Sequence, residues 1–188
     1  MKHLLVLLLL LPLSSKAQVN YVLNPSFEQY SQCPYDLDQV AFANYWNSID
    51  TSWHWGEALF REPRCLPEYC NACSSHLEAS VPANEYFYQY PRSGNGMVQT
   101  FMIANPATWV GSTTIHDYLQ GRINGPLQAG KSYCVTFYVN LEEFSGYAIN
   151  NIGAYLDDGS IDVGQDSVGC TQAQTAFTPQ VEGNAKMS

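Results

Sequence analysis

Three groups of residues have types and spacings that could carry chemistry. The first is a single carboxylate, Glu28, in NPSFEQYSQCP (residues 24–34), directly after Phe27 and five residues before Cys33. The second is an aromatic run, Trp46, Trp53 and Trp55, with Tyr45 and His54 beside it. Sugar rings present C–H-rich faces that pack on aromatic planes, and Asn44, Asn47 and Asp50 lie close enough in the chain to meet hydroxyls. Trp53, Trp55, Asn47 and Asp50 are therefore expected to bind a ligand; the alternative is that the tryptophans cover the core beneath a long loop. The third group is the cysteines, Cys33, Cys65, Cys70, Cys73, Cys134 and Cys170. Cys65, Cys70, Cys73 and His76 approach a zinc spacing, but the second CxxC or paired histidine of a closed zinc site is missing.

Catalysis needs a placed acid and base, or a nucleophile with a partner. The chain has no G-x-S-x-G, H-E-x-x-H or P-loop. Glu142-Glu143 and Asp157-Asp158 are adjacent pairs, and neighbours on a strand face opposite ways. Neither pair makes a two-carboxylate hydrolase site by itself. The expectation is a non-catalytic protein.

The compartment follows from the first residues. Met1-Lys2-His3 is a short basic head, residues 4–13 are apolar apart from Pro12, and Ser15 and Ala17 are small residues at the positions a signal peptidase reads. Cleavage is expected after Ala17, and the apolar run is too short for a stop-transfer helix. With no later membrane segment, the chain is expected to be secreted or displayed at the cell surface, without membrane insertion. Of its 8 basic residues Lys2 and Lys16 leave with the leader, so six face 17 acidic ones and the mature net charge is −11. That balance excludes nucleic acid and anionic membrane surfaces as partners. In an oxidising compartment the even set of six cysteines reads as disulfides before zinc. Sequence alone does not choose the pairing; the working expectation is Cys33–Cys73, Cys65–Cys70 and Cys134–Cys170.

The elements that must position these groups are strands. KSYCVTFYVNL (residues 131–141) alternates strictly, with Tyr133, Val135, Phe137, Val139 and Leu141 on one face. Val135 and Phe137 are expected in the core. IHDYLQGRI (115–123) alternates as well, INNIGAYLD (149–157) follows as a further short strand, and EYFYQYP with NGMVQTFMI is expected to form a strand pair across residues 91–95. Short strands joined by Gly, Pro and Asn turns predict one all-β sandwich domain over residues 18–188. Residues 45–80 read as a long irregular excursion pinned by disulfides. The end of the chain lacks a closing apolar strand, so the sandwich is expected to be incomplete and the natural protein to continue.

Taken in order, VLNPSFEQYSQCP, ANYW, YCNAC, VPAN, YPRSGNG and HDYLQGRINGPLQAGKSYCVTFYVNLEEFSGYAINNIGAYLDD resemble a family of exported bacterial proteins, over residues 20–158. That family is similar to jelly-roll carbohydrate-binding modules with the galactose-binding-like fold. Its members often carry a C-terminal domain related to outer-membrane protein A or a secretion-sorting domain. One departure is His116-Asp117, where Arg-Glu is usual. The resemblance implies a jelly roll that binds carbohydrate or a cell-envelope component, with a structural calcium ligated by Glu28. Calcium takes six to eight oxygens, and the usual second carboxylate comes from a final strand that this chain lacks. Otherwise Glu28 is a solvated carboxylate on an edge strand; in both cases it is structural rather than catalytic. Trp46 matches a tryptophan that is structural in the family. The rival readings are an envelope domain with no small ligand and a truncated glycan-active hydrolase.

Overall fold

The NPSFE segment forms a tight turn rather than a strand. Asn24 and Phe27 both take left-handed backbone angles, φ 49° and 60°. Asn24 is buried and holds the turn from inside: its Oδ1 accepts the Gln29 N–H at 2.9 Å, and its Nδ2 donates to the carbonyls of Gln29 and Asn44 at 2.8 and 2.9 Å. Asparagine tolerates this conformation because its short side chain bonds the local backbone. The expected edge strand is absent because these bonds close the chain on itself.

The structure is a computed structural model and describes residues 18–48, 67–100, 117–146, 148, 151–158 and 181–184. Among them the regular elements are short strands and one 3-10 turn, Val40–Phe42, so the class is all-β. The strands are β1 (Trp46–Ser48), β2 (Glu68–Asn71), β3 (Gly96–Gln99), β4 (Leu119–Gly121), β5 (Asn151–Ala154) and β6 (Val181–Asn184). They pair antiparallel as β1–β4, β2–β3 and β5–β6. No helix among the described residues is long and apolar enough to cross a membrane.

The β2–β3 pair is the centre of the described structure, and every residue of β2 is buried. Strand geometry sends alternate side chains to opposite faces. Tyr69 and Asn71 face the N-terminal turn: the Tyr69 hydroxyl donates to the Phe27 carbonyl at 2.8 Å and accepts from Asn71 Nδ2 at 2.7 Å. On the other face Cys70 packs with Val81 and Phe87, against which Tyr86 and Met97 lie. Tyr69 and Asn71, polar but buried, thus have the hydrogen-bond partners that burial calls for.

Glu28 joins the two halves of this arrangement. Its Oε1 accepts the N–H groups of Asn95 and Gly96, each at 2.8 Å, across 67 and 68 residues of chain. Gly94 has φ +69°, and a Cβ there would stand 2.6 Å from Glu28 Oε2 and nearer still to Cδ. A Cβ on Gly96 would meet the Phe27 carbonyl oxygen at 2.6 Å. The glycines of RSGNG are therefore required by the carboxylate and carbonyl that lie on them.

Three further expectations differ from this structure. Residues 131–141 form no ladder with any described strand, and Val135 and Phe137 are exposed, at 38% and 45%. A period-two pattern marks two faces; a ladder also needs a partner backbone, which the pattern does not provide. Residues 96–99 pair with β2 rather than with residues 85–90, because the Glu28 clamp and the Asn95 carbonyl, which accepts the Ala72 N–H at 3.0 Å, set that register. Of the expected disulfides, Cys33–Cys73 is formed, with Cα atoms 5.9 Å apart. Cys70 and Cys134 are free thiols instead of being joined to Cys65 and Cys170, both of which lie outside the described residues. Cys70 is sealed in the core, with its Sγ on the carbonyl of Glu78 and the amide oxygen of Gln99, both at 3.9 Å. The excursion expected at 45–80 contains strands β1 and β2.

Replacing Glu28 with Ala leaves two N–H groups without their acceptor and should cost about 1–3 kcal/mol. Gly94→Ala should cost a similar ~1–3 kcal/mol through its positive φ and the overlap with Glu28. Because the two share one contact, the double variant should be more stable than the sum of the single losses. Denaturant unfolding of the three variants checks this; strict additivity would separate the residues.

Candidate functional site

The segment after the core residue Phe87 carries a cluster of exposed aromatic and amide groups. Phe87 is held inward while Tyr88 and Tyr90 stay 59% and 62% exposed. Their rings meet edge-on at 5.9 Å. Two side-chain bonds bring residues 138–143 alongside: the Tyr88 N–H donates to Glu143 Oε2 at 3.0 Å, and Asn140 Nδ2 donates to Gln89 Oε1. Across the same junction the Arg92 guanidinium carbon lies 3.4 Å from the Tyr138 ring centroid. A planar cation stacked on a ring stiffens both side chains. The result is a platform of Tyr88, Tyr90 and Tyr138 with Gln89, Asn140 and Arg92 around it.

Beneath it lies a buried acidic group. Glu142 and Glu143 are neighbours that serve opposite sides: Glu143 holds Tyr88 at the surface, and half-buried Glu142 faces inward toward Gln99 and Glu68. Glu68 stands directly across from Gln99 in the β2–β3 register and is 4% exposed. Burial pushes its carboxyl up to about 10, with the negative charges of Asp117, Asp38 and Glu142 adding to the effect. Burial also raises Glu142, reinforced by Glu143 and opposed by the Gln99 amide. The Cys70 thiol is raised by its own burial and then by Glu68 and Glu142, so it is no nucleophile at neutral pH. A carboxyl held neutral in this way can donate a proton or a hydrogen bond, but Glu68 sits inside the fold where a substrate does not reach it.

The residues singled out from the sequence fall in several places. Trp53, Trp55 and Asp50 lie outside the described residues, as do His54 and His116. Asn47 is half-buried in β1, in register with Gln120. Trp46 is structural: its Nε1 donates to the Asn24 carbonyl at 2.8 Å, its ring lies 4.7 Å from Phe27, and it covers Gly121, its partner across β1–β4. A Cβ on Gly121 would stand 2.7 Å from Cη2 of that ring. Asp117 is buried in the group around Glu68. Glu28 Oε1 is held by the Asn95 and Gly96 N–H groups, and among the described residues no convergent group of three His, Cys, Asp or Glu side chains includes Glu28. The tyrosine platform was legible only as YFYQYPR, whose period-two aromatics read equally well as a strand.

Glu68 also makes a pH prediction. Its proton is held to about pH 10 in the folded chain but is lost near 4.5 when unfolded, so over that window folding takes up a proton. Stability should fall as pH rises above the unfolded value, by up to ~1.4 kcal/mol per pH unit for one proton. Glu68→Gln, neutral at all pH, should flatten the melting profile between pH 5 and 8 and be the more stable protein at pH 8. Parallel profiles for the two proteins would remove Glu68 from this role. No protein-family model, curated protein or solved structure matches the chain.

Proposed function

We propose that this chain is an exported, non-catalytic module with a galactose-binding-like jelly-roll sandwich that binds carbohydrate, secreted or at the cell surface. The observation that carries the reading is the solvent-exposed set of Tyr88, Tyr90 and Tyr138 beside the amides of Gln89 and Asn140. Aromatic planes take the C–H face of a sugar ring, and side-chain amides offer donor and acceptor together to its hydroxyls. The acidic mature charge disfavours anionic glycans and points to neutral ones. The all-β class and the Cys33–Cys73 disulfide support a sandwich made for an oxidising compartment. Trp53 and Trp55, outside the described residues, remain candidates for ligand binding.

A rival reading is a structural or adhesive envelope domain without a small ligand. It draws on the exposed apolar side chains of Val135, Phe137, Val139 and Leu141, which suit burial against another protein. The truncated-hydrolase reading gains no support from Glu68, whose raised carboxyl is buried away from solvent.

Affinity electrophoresis through neutral polysaccharides, followed by a glycan array, tests the proposal. Tyr90→Ala and Tyr138→Ala should each weaken binding about tenfold, the loss of one aromatic contact worth roughly 1–1.5 kcal/mol. Their melting temperatures should stay near that of the parent because both rings are exposed. Retention of no glycan, together with capture of an envelope protein, would favour the rival. Loss confined to Trp53→Ala and Trp55→Ala would move the site to the tryptophans.

A further inference from the structure

On the far side of the disulfide three potential ligands converge. Asp36 lies three residues after Cys33 and His76 three residues after Cys73, so the Cys33–Cys73 bridge brings both segments together. Glu78 follows two residues on. One ligand atom from each of Asp36, His76 and Glu78 lies within 4.8 Å of the others. His76 Nδ1 is 3.7 Å from Glu78 Oε2, beyond hydrogen-bond reach. That nitrogen is shielded from solvent and has no hydrogen-bond partner, while the His76 side chain as a whole is 42% exposed. Leaving a buried ring nitrogen unsatisfied is costly, and a metal ion is one of the few partners that accepts both an imidazole lone pair and two carboxylates.

We propose that Asp36, His76 and Glu78 bind one divalent transition-metal ion of the zinc class. Ligands about 2.1 Å from a shared tetrahedral ion stand roughly 3.4 Å apart, so a shift of a few tenths of an ångström closes the His76–Glu78 pair on it. Two carboxylates and a neutral imidazole match a double positive charge. The nitrogen ligand selects zinc-class ions over calcium, which takes oxygens alone. Asp36 is exposed, so a water completes the shell from the solvent side. The backbone around the ligands is held: Gln39 Oε1 accepts the N–H of Tyr35 and of Asp36, and Ser74 Oγ accepts that of His76. The Tyr86 hydroxyl, 3.5 Å from Glu78 Oε1, orients the second carboxylate from behind. This set shares only His76 with the cysteine-rich zinc pattern visible in the sequence, because Cys73 is consumed by the disulfide and Cys70 by the core.

The test is calorimetric titration of the chelator-treated protein with zinc chloride, after its accessible thiols are blocked with N-ethylmaleimide so that Cys134 does not compete. One ion per chain is expected to bind, and calcium chloride should not displace it. His76→Ala and Asp36→Asn should each weaken zinc binding at least tenfold; the second removes an exposed carboxylate and leaves the fold intact. Zinc should also raise the melting temperature of the parent and not of either variant. Absence of saturable zinc binding, or binding of unchanged affinity in Asp36→Asn, overturns the proposal.

Discussion

The carboxylate of Glu28 in the Asn95–Gly96 turn is the interaction on which the rest of the described structure depends. It joins a turn near the N-terminal end of the described residues to the strand that begins 68 residues later. Two N–H donors on one ionised oxygen make strong, directional bonds, and they act beside the Tyr69–Phe27 bond and the packing of Trp46 on Phe27. Together these fix β3 against β2 and set which face of β2 looks at the N-terminal turn. A glycine at 94 is the geometric condition, because no side chain fits between the turn and the carboxylate.

Once β2 is placed, its two faces divide the molecule's chemistry. The Tyr69 face is satisfied by local hydrogen bonds and is inert. The Glu68 and Cys70 face collects charge that cannot be solvated, so its acids are driven toward the neutral form and its thiol away from reactivity. That group is best understood as a cost of the fold, carried where water does not reach. Among the described residues, the tyrosine platform and the disulfide-tethered Asp36, His76 and Glu78 lie outside that buried group.

The Glu142-Glu143 step shows how closely the two regimes adjoin. One residue bonds the backbone under an exposed tyrosine, and the next faces the buried acids. A substitution at either position therefore bears on the surface or on stability, but through different physics: desolvation at Glu142 and side-chain positioning at Glu143.

By itself the sequence determined the all-β class, since short alternating segments broken by Gly, Pro and Asn leave no helical period to compete with strands. It also made Cys33–Cys73 one of a set of allowed pairings and marked NPSFE and RSGNG as unusual. It did not show that those two motifs touch, because local pattern carries no information about partners nearly seventy residues apart. The same limit misled at residues 131–141: strict alternation predicted a core strand, yet burial requires a facing surface that only the tertiary arrangement can supply. It hid Glu68 and Asp117 as well, two unremarkable acids until packing removed their water. And it set tyrosines 88 and 138 in separate segments, which only the bonds from Glu143 and Asn140, and Arg92 stacked on Tyr138, brought to one surface.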